Sequence, residues 1–137
     1  MAEMTPAQCD AFLRETRIAK LATLNADGSP TIVPVWFEWT GSEALVFTHD
    51  ASPKIRRIRR DPHVALSVEE AVGVPEAWVT IEGHATVGPG GFDLAERLTP
   101  RYYTPAKSVE ALRKWANMRD HWVLIRITPT RVRSSAP

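Results

Sequence analysis

A dense group of basic residues near the middle of the chain is the part of the sequence best suited to bind an anion. The cations in the seven residues from 54 to 60 are Lys54, Arg56, Arg57, Arg59 and Arg60. Thr48 and Ser52 precede them with hydroxyl groups, and a helix that begins at Pro53 would offer free N–H groups at its start. Together these groups suit a phosphate. The alternative is a solvated basic helix face, which is common on protein surfaces, and both interpretations stay open.

A proline inside an apolar segment marks a second candidate. Residues 31–39 read TIVPVWFEW, and Pro34 cannot donate a hydrogen bond to a sheet ladder. The proline therefore predicts an edge strand, a bulge or a gap in strand pairing. Backbone groups left free there can bind the polar edge of a flat heterocycle, with Trp36 or Trp78 as an apolar wall. An edge-strand proline that only discourages aggregation is the other interpretation.

The motifs of several other kinds of site are missing. The four histidines show no metal-ligand spacing, and the single cysteine, Cys9, allows no thiolate cluster within the chain, so no metal site is predicted. The sequence contains no GxSxG, no GxGxxG after a strand and no GxxxxGK[ST] motif. Hydrolase, Rossmann and P-loop assignments are therefore disfavoured.

The composition is that of an ordinary globular domain. The chain has 137 residues, of which 44% are hydrophobic and 24% charged. Seventeen basic residues against 16 acidic ones give a net charge of +1, so no overall field attracts nucleic acid. No signal pattern and no apolar run of about 20 residues is present. We expect one domain over residues 1–137, in the cytoplasm and without a membrane or nucleic-acid partner.

Most of the elements that position these residues are predicted to be strands in hairpin order. Apolar or alternating patterns predict six strands, at residues 17–24, 31–39, 44–49, 63–69, 77–87 and 122–128. No alternating strand–helix units are found. An antiparallel barrel or a strongly curled sheet is therefore expected.

Helices are predicted between and around the strands. Thr5 and Gln8 form a predicted capping box for a helix that runs to about Thr16. Ser52 is predicted to cap the basic helix, which buries Ile55 and Ile58 on one face. Two more helices are predicted at residues 92–103 and 108–118. The last four residues are predicted to be frayed.

Three segments in register resemble the pyridoxamine 5′-phosphate oxidase-like split-barrel superfamily. They read RIAKLATLNADGSPTIVPVWFEW, LVFTHDASPKIRRIRRDPHVALSV and AWVTIEGHATV. The chain is most similar to the small flavin/deazaflavin oxidoreductases that use coenzyme F-420, whose members carry a segment similar to residues 54–62. The resemblance implies a mainly β fold with peripheral helices, a six-stranded antiparallel split β-barrel of the FMN-binding type.

The resemblance also implies the position of a cofactor. The residues implied to contact its ring are Val33, Pro34, Val35, Trp36, Phe47 and Trp78. Those implied to contact its phosphate are Thr48, Ser52, Lys54 and Arg57. In such families the cofactor lies at the two-fold interface of a homodimer. Helical residues around Arg101, Tyr102 and Trp115 would reach the ring bound by the other subunit.

The activity implied by the resemblance is an F-420-dependent reduction. A hydride would pass from the reduced deazaflavin to an unsaturated or conjugated organic acceptor, with no side chain required as a covalent or acid–base catalyst. An FMN-dependent oxidase or reductase and a non-catalytic flavin or F-420 carrier are the alternatives. The C-terminal RITPTRVRSSAP differs from the substrate-binding segment of pyridoxamine phosphate oxidases, which disfavours that reaction. The remaining arginines can serve the oligoglutamate tail of F-420, whereas Pro53 leaves the choice of FMN open.

Overall fold

Alternating apolar residues and capped helical segments produce four α-helices and seven strands. The structure, a computed structural model, describes residues 1–137. The helices are α1 (Pro6–Arg14), α2 (Pro53–Arg60), α3 (Gly91–Tyr102) and α4 (Pro105–Ala116). The strands are β1 (Ala19–Leu24), β2 (Pro30–Val35), β3 (Glu38–Trp39), β4 (Ala44–His49), β5 (His63–Glu69), β6 (Trp78–Gly88) and β7 (Trp122–Ser135). A turn of 3₁₀-helix, Arg119–His121, leads into β7.

The strands form one antiparallel sheet whose two edges come close together. The order across the sheet is β2-β1-β5-β6-β7-β4-β3. The two edge strands, β2 and β3, are consecutive in the chain, and only Trp36 and Phe37 separate them. Three residue steps from Val35 to Glu38 span at most about 11 Å. The sheet must therefore curl into a barrel with one narrow split, which the chain crosses at Trp36 and Phe37.

This crossing corrects the prediction of six strands. The segment predicted as one strand, residues 31–39, is divided into β2 and β3, which pair with different neighbours. Pro34 lies in β2 at the edge of the sheet, opposite Lys20 of β1. Among the alternatives that the proline predicted, the edge strand is confirmed. The antiparallel, mainly β architecture with peripheral helices is also confirmed.

The C-terminal residues are ordered, which corrects a second prediction. Strand β7 does not end at Thr128 but pairs with β6 as far as Trp78, which lies opposite Ser135. Ala136 then forms a bridge with Ala2. The predicted frayed tail is therefore wrong. The long strand β6 presents backbone N–H and C=O groups along its whole length. The C-terminal residues form hydrogen bonds with these groups, although their few apolar side chains gave no strand pattern in the sequence.

The barrel core consists of the inward-facing residues of the alternating strands. Val64, Leu66 and Val68 of β5 are buried, as their spacing predicts. Helix α2 packs its two isoleucines, Ile55 and Ile58, into this same core, at 1% and 2% exposure. The basic residues of α2 are thereby held at one end of the barrel.

A smaller apolar cluster attaches α3 to the outer face of the sheet. It joins Leu45 of β4 to Leu94 and Leu98 of α3. Trp36, Phe47 and Tyr102 pack against this cluster. The split in the barrel therefore lies under α3.

The observed helix cap agrees with the predicted one at α1 and differs from it at α2. Thr5 and Gln8 form the predicted capping box. Ser52 makes no capping hydrogen bond to the α2 backbone. Helix α4 begins three residues earlier than predicted, because Thr104 accepts a hydrogen bond from Lys107 N. Each of the four helices is too short or too polar to cross a bilayer.

Candidate functional site

The ammonium group of Lys54 is held by hydroxyls at one end of the barrel. Its Nζ donates to Thr48 Oγ1 at 3.1 Å and to Ser52 Oγ at 3.0 Å. Thr48 ends the buried part of β4, and Ser52 immediately precedes α2, so strand and helix together place the three groups. Ser52 uses its oxygen for this lysine and not for the helix cap, which explains the missing cap.

The charge of Lys54 is partly buried and has no counter-charge. No carboxylate lies within ion-pair distance of it, although ten ion pairs form elsewhere in the chain. Burial lowers the pKa of Lys54, and the nearby charge of Arg57 lowers it further. The backbone N–H of Lys54 also has no acceptor in the chain. An anion placed here would gain a charged donor and an N–H group.

Arg57 lies one helical turn after Lys54 and also points inward. Its Nε donates to Thr23 Oγ1 at 2.7 Å, and Thr23 is 1% exposed. Arg56 and Arg59, by contrast, are exposed. The basic segment therefore has two parts: an inner pair that faces the barrel end and an outer solvated face. The outer part agrees with the interpretation as a solvated basic face, and the prediction of an anion site concerns only the inner pair.

A cavity of about 370 Å³ with both apolar and polar lining opens beside Lys54 at the split of the barrel. Its lining residues are Ile18, Pro34, Val35, Trp36, Phe47 and Lys54. The volume lies within the range of about 300–1,000 Å³ that is typical of small-molecule sites. Strand β2 forms one side and, being an edge strand, has no strand partner there. The cavity suits a flat apolar ring that carries a negative charge at one end.

Stacked aromatic rings fix the wall of this cavity. Trp36 stacks on Tyr102 with centroids 4.8 Å apart and an interplanar angle of 7°. Tyr103 meets the same indole edge-on at 4.8 Å, and Phe47 at 6.1 Å. Phe47 in turn contacts Trp115 of α4. A wall braced in this way loses little rotamer freedom when a ligand binds.

The hydroxyl of Tyr102 ties α3 to both sides of the split. It donates to the Arg17 carbonyl oxygen at 2.7 Å and accepts from Phe37 N at 3.4 Å. Burial raises the pKa of this tyrosine. The contact positions Trp36, because Phe37 is its neighbour in the crossing segment.

The structure brings most of the predicted site residues together. Pro34, Val35, Trp36, Phe47 and Lys54 line one cavity. Thr48 and Ser52 join them through Lys54, and Arg57 follows one helical turn later, as described above.

Two predicted ring contacts lie elsewhere in the single chain. Val33 points into the barrel and packs against the main core. Trp78 lies opposite Glu69 and Ser135 and does not line the cavity. Its predicted contact with a ring has no support within one chain.

The helical residues that were expected to reach another subunit make contacts within their own chain. Arg101 donates to Thr16 Oγ1 and to the Arg14 carbonyl oxygen. Tyr102 and Trp115 belong to the aromatic wall.

Sequence reasoning also missed two residues of the site. Ile18 lines the cavity, and Thr23 holds Arg57. Neither residue type carries a signal by itself. The alternation of β1 could have placed Thr23 inside the barrel, but not beside a helix that comes 30 residues later in the chain.

Comparisons with known proteins agree with this architecture. A family model described as pyridoxamine 5′-phosphate oxidase matches residues 5–136. No curated protein matches the sequence. A conserved hypothetical protein from Mycobacterium tuberculosis has 27% identity and a TM-score of 0.76, over 97% of this chain and 85% of the other.

Two further solved structures share the fold. A protein described as an F-420 reductase has 24% identity and a TM-score of 0.71, over 90% of this chain and 94% of the other. A FAD-binding protein from Mesorhizobium loti has 21% identity and a TM-score of 0.70, over 97% and 93%. At these identities the likeness concerns the fold.

Proposed function

This chain belongs to the pyridoxamine 5′-phosphate oxidase family, and we propose that it is an oxidoreductase that binds coenzyme F-420 at the split of its barrel. The substrate would be an unsaturated or conjugated organic acceptor. The observation that carries the proposal is Lys54, a partly buried cation without a counter-charge, which two hydroxyls hold at the end of a cavity lined largely by apolar residues.

The residues present fit a phosphorylated tricyclic ring. Such a group needs a flat apolar slot, polar backbone at one edge and an anion site at one end. The cavity between Pro34, Trp36 and Phe47 supplies the slot, and the unpaired side of β2 supplies the backbone groups. Lys54 with its hydroxyls is the anion site, and Arg57 lies close enough to add a second charge.

The outer basic face of α2 favours the deazaflavin over FMN. Arg56, Arg59 and Arg60 carry no ion pair, and Arg60 donates only to the Leu24 carbonyl oxygen, so their charges are available to a chain of carboxylates that extends from the phosphate. An oligoglutamate tail, as in F-420, has this chemistry. The fold neighbours include one protein named an F-420 reductase and one named FAD-binding, so FMN remains the alternative ligand to test.

The protein's part in the reaction is to bind, orient and exclude water. When bound in its reduced form, the deazaflavin supplies the hydride. Lys54 and Arg57 would anchor the phosphate, and Trp36 and Phe47 would keep water from one face of the ring. No histidine, cysteine or carboxylate of the single chain lines the cavity, and we propose that the proton that accompanies the hydride comes from solvent.

A homodimer would complete this site. The cavity is open on the side of Ile18, which is 42% exposed, and Ile32 on the outer face of β2 is 64% exposed. Apolar side chains at the mouth of a site suit an interface that closes it. We propose that a second copy of the chain covers this mouth.

Side-by-side titration with F-420 and FMN tests the proposal. Lys54→Ala should weaken binding of F-420 about tenfold or more, because a charge-assisted contact is lost. The matched control is Arg56→Ala, which removes an exposed charge from the same helix and should change the affinity far less. Equal affinities for Lys54→Ala and wild type would refute the site. Tight binding of FMN without binding of F-420 would identify FMN as the cofactor instead.

A turnover assay distinguishes an oxidoreductase from a non-catalytic carrier. The complex with reduced F-420 should transfer its hydride to at least one member of a panel of conjugated acceptors. The recovery of the absorbance of oxidised F-420 measures this transfer. Binding without turnover of any acceptor would favour the carrier. Yellow protein that forms peroxide in air would favour an FMN oxidase.

A further inference from the structure

Two histidines and an aspartate, which no motif in the sequence connects, lie together at the end of β4. Suitable ligand atoms of His49, Asp50 and His121 all lie within 4.8 Å of one another. His49 is the last residue of β4, and His121 immediately precedes β7. The antiparallel register places His49 opposite Trp122, the neighbour of His121. The pairing of β4 with β7 therefore brings together two histidines that lie 72 positions apart in the sequence.

The backbone around this cluster is held by its own hydrogen bonds. Asp50 N donates to the His121 carbonyl oxygen at 2.8 Å, and Ser52 N donates to the His49 carbonyl oxygen at 3.0 Å. The imidazoles of His49 and His121 stack with centroids 5.6 Å apart and an interplanar angle of 11°. The three side chains are therefore presented by fixed backbone, as a preorganised ligand set requires.

The carboxylate lies between the two rings at distances that match a metal coordination shell. Asp50 Oδ2 is 3.0 Å from His121 Nδ1, and Asp50 Oδ1 is 3.3 Å from His49 Nδ1. With Zn–N distances of about 2.0–2.1 Å, neighbouring ligands of a tetrahedral zinc lie about 3.3 Å apart. Each aspartate–histidine distance is already near this separation, but the two involve different carboxylate oxygens, so both imidazoles have to move toward one ion on binding.

One atom of the cluster lacks a partner. His49 Nε2 is buried and forms no hydrogen bond, while His49 Nδ1 accepts a hydrogen bond from Ala51 N at 3.1 Å. Buried polar atoms in folded proteins are nearly always paired, so an unpaired ring nitrogen calls for an explanation. The unpaired Nε2 can bind a ligand without loss of a hydrogen bond, whereas binding through Nδ1 would replace the hydrogen bond from Ala51 N.

We propose that His49, Asp50 and His121 bind one divalent transition-metal ion of the zinc class, with water in the fourth position. Two imidazoles and one carboxylate are borderline ligands that favour Zn²⁺ over Mg²⁺ or Ca²⁺. His121 has 58% of its side chain exposed, which leaves room for the water and a path for the ion. The site lies on the turn between β4 and α2 and joins that turn to the start of β7. It does not depend on the proposed cofactor.

Calorimetric titration of the full-length, chelator-treated protein with ZnCl₂ at pH 7.5 tests the site. We expect one Zn²⁺ per chain and an increase in the thermal midpoint when Zn²⁺ is present, because an ion that binds only the folded state stabilises it. MgCl₂ should produce neither effect. His121→Asn should lower the Zn²⁺ affinity at least about tenfold, since the mutation of residues that only hydrogen-bond to metal ligands already lowers metal affinity by about this factor.

A second histidine–aspartate pair supplies the matched control. His63 Nδ1 lies 2.7 Å from Asp61 Oδ1 on the surface, outside the cluster. His63→Asn should leave both the stoichiometry and the affinity unchanged. Because His121 is exposed, its variant should fold as wild type does by circular dichroism. Absence of Zn²⁺ binding to wild type, or an equal loss in His63→Asn and His121→Asn, would overturn the assignment.

Discussion

The ammonium group of Lys54 is bonded to two hydroxyls and to no carboxylate, in a place where burial already lowers its pKa. A folded chain does not gain stability from such an arrangement, because desolvating a charge is costly unless a partner charge offsets the loss. A bound phosphate would provide that partner. At the scale of the single residue, Lys54 therefore carries a desolvation cost that a bound anion would remove.

The lowered pKa of Lys54 predicts how stability changes with pH. Between this pKa and the ordinary value of about 10.4, the unfolded chain binds more protons than the folded chain, so stability rises with pH there. Lys54→Met abolishes this titration. Relative to the variant, wild type should gain unfolding free energy as the pH rises toward the ordinary pKa of lysine, as measured by urea denaturation.

Lys20→Met is the control for this experiment. Lys20 is more exposed and its Nζ pairs with Glu69 at 3.0 Å. Wild type should show no comparable gain relative to Lys20→Met. Parallel curves for wild type and Lys54→Met would mean that Lys54 is not desolvated in the folded chain.

At the scale of elements, α3 determines the shape of the split. The Tyr102 hydroxyl is bonded to Arg17 on one side and to Phe37 on the other, while its ring supports Trp36. Tyr102→Phe keeps the stacking and removes both hydrogen bonds. We expect a loss of about 1 kcal/mol in unfolding free energy and weaker cofactor binding, since Trp36 is less firmly positioned.

The neighbouring tyrosine is the matched control for Tyr102→Phe. Tyr103 also contacts Trp36, but its hydroxyl has no hydrogen-bond partner in the chain. Tyr103→Phe should therefore change neither stability nor affinity. Equal effects of the two substitutions in urea denaturation would show that the hydroxyl contacts do not brace the split.

The pairing of β6 with β7 depends on a glycine at its irregularity. The register shifts between Glu82 and Gly83, and a Cβ atom on Gly83 would collide with the Thr128 carbonyl oxygen. Gly83→Ala should lower the unfolding free energy by about 1–3 kcal/mol, because backbone must move to accept the methyl group. Gly88→Ala in the same strand meets no atom within 4 Å and should cost much less. Similar thermal midpoints for both variants would contradict this close approach.

At the scale of the whole molecule, exposed apolar side chains at the cavity mouth (Ile18) and on the outer face of β2 (Ile32) predict self-association. Ile32→Glu places a charge on the outer face of β2, where the proposed second copy packs. The variant should run as a monomer in size-exclusion chromatography with light scattering and should bind F-420 more weakly. Val109→Glu, at a residue 57% exposed on α4, should leave both properties unchanged. A monomeric wild type would refute the proposed dimer.

Much of the site was predictable because its parts are local in sequence. Thr48, Ser52, Lys54 and Arg57 lie within ten positions, so a strand end and one helical turn bring them together. Because proline has no N–H to donate, the sequence limited Pro34 to an edge strand, a bulge or a gap in pairing, and the structure selects the edge strand. Residues that approach from elsewhere, such as Ile18 and Thr23, could not be found in this way.

The sequence by itself determined the alternating strands, the basic helix with its two buried isoleucines and the capping box at Thr5, because each depends on side-chain period or on neighbours a few positions apart. Only the tertiary structure decided that residues 31–39 divide at Trp36 and Phe37, that the C-terminal residues complete β6, and that His49 meets His121. The reason is physical: these outcomes depend on which strands become neighbours when the sheet curls, and pairing partners far apart in sequence leave no local pattern.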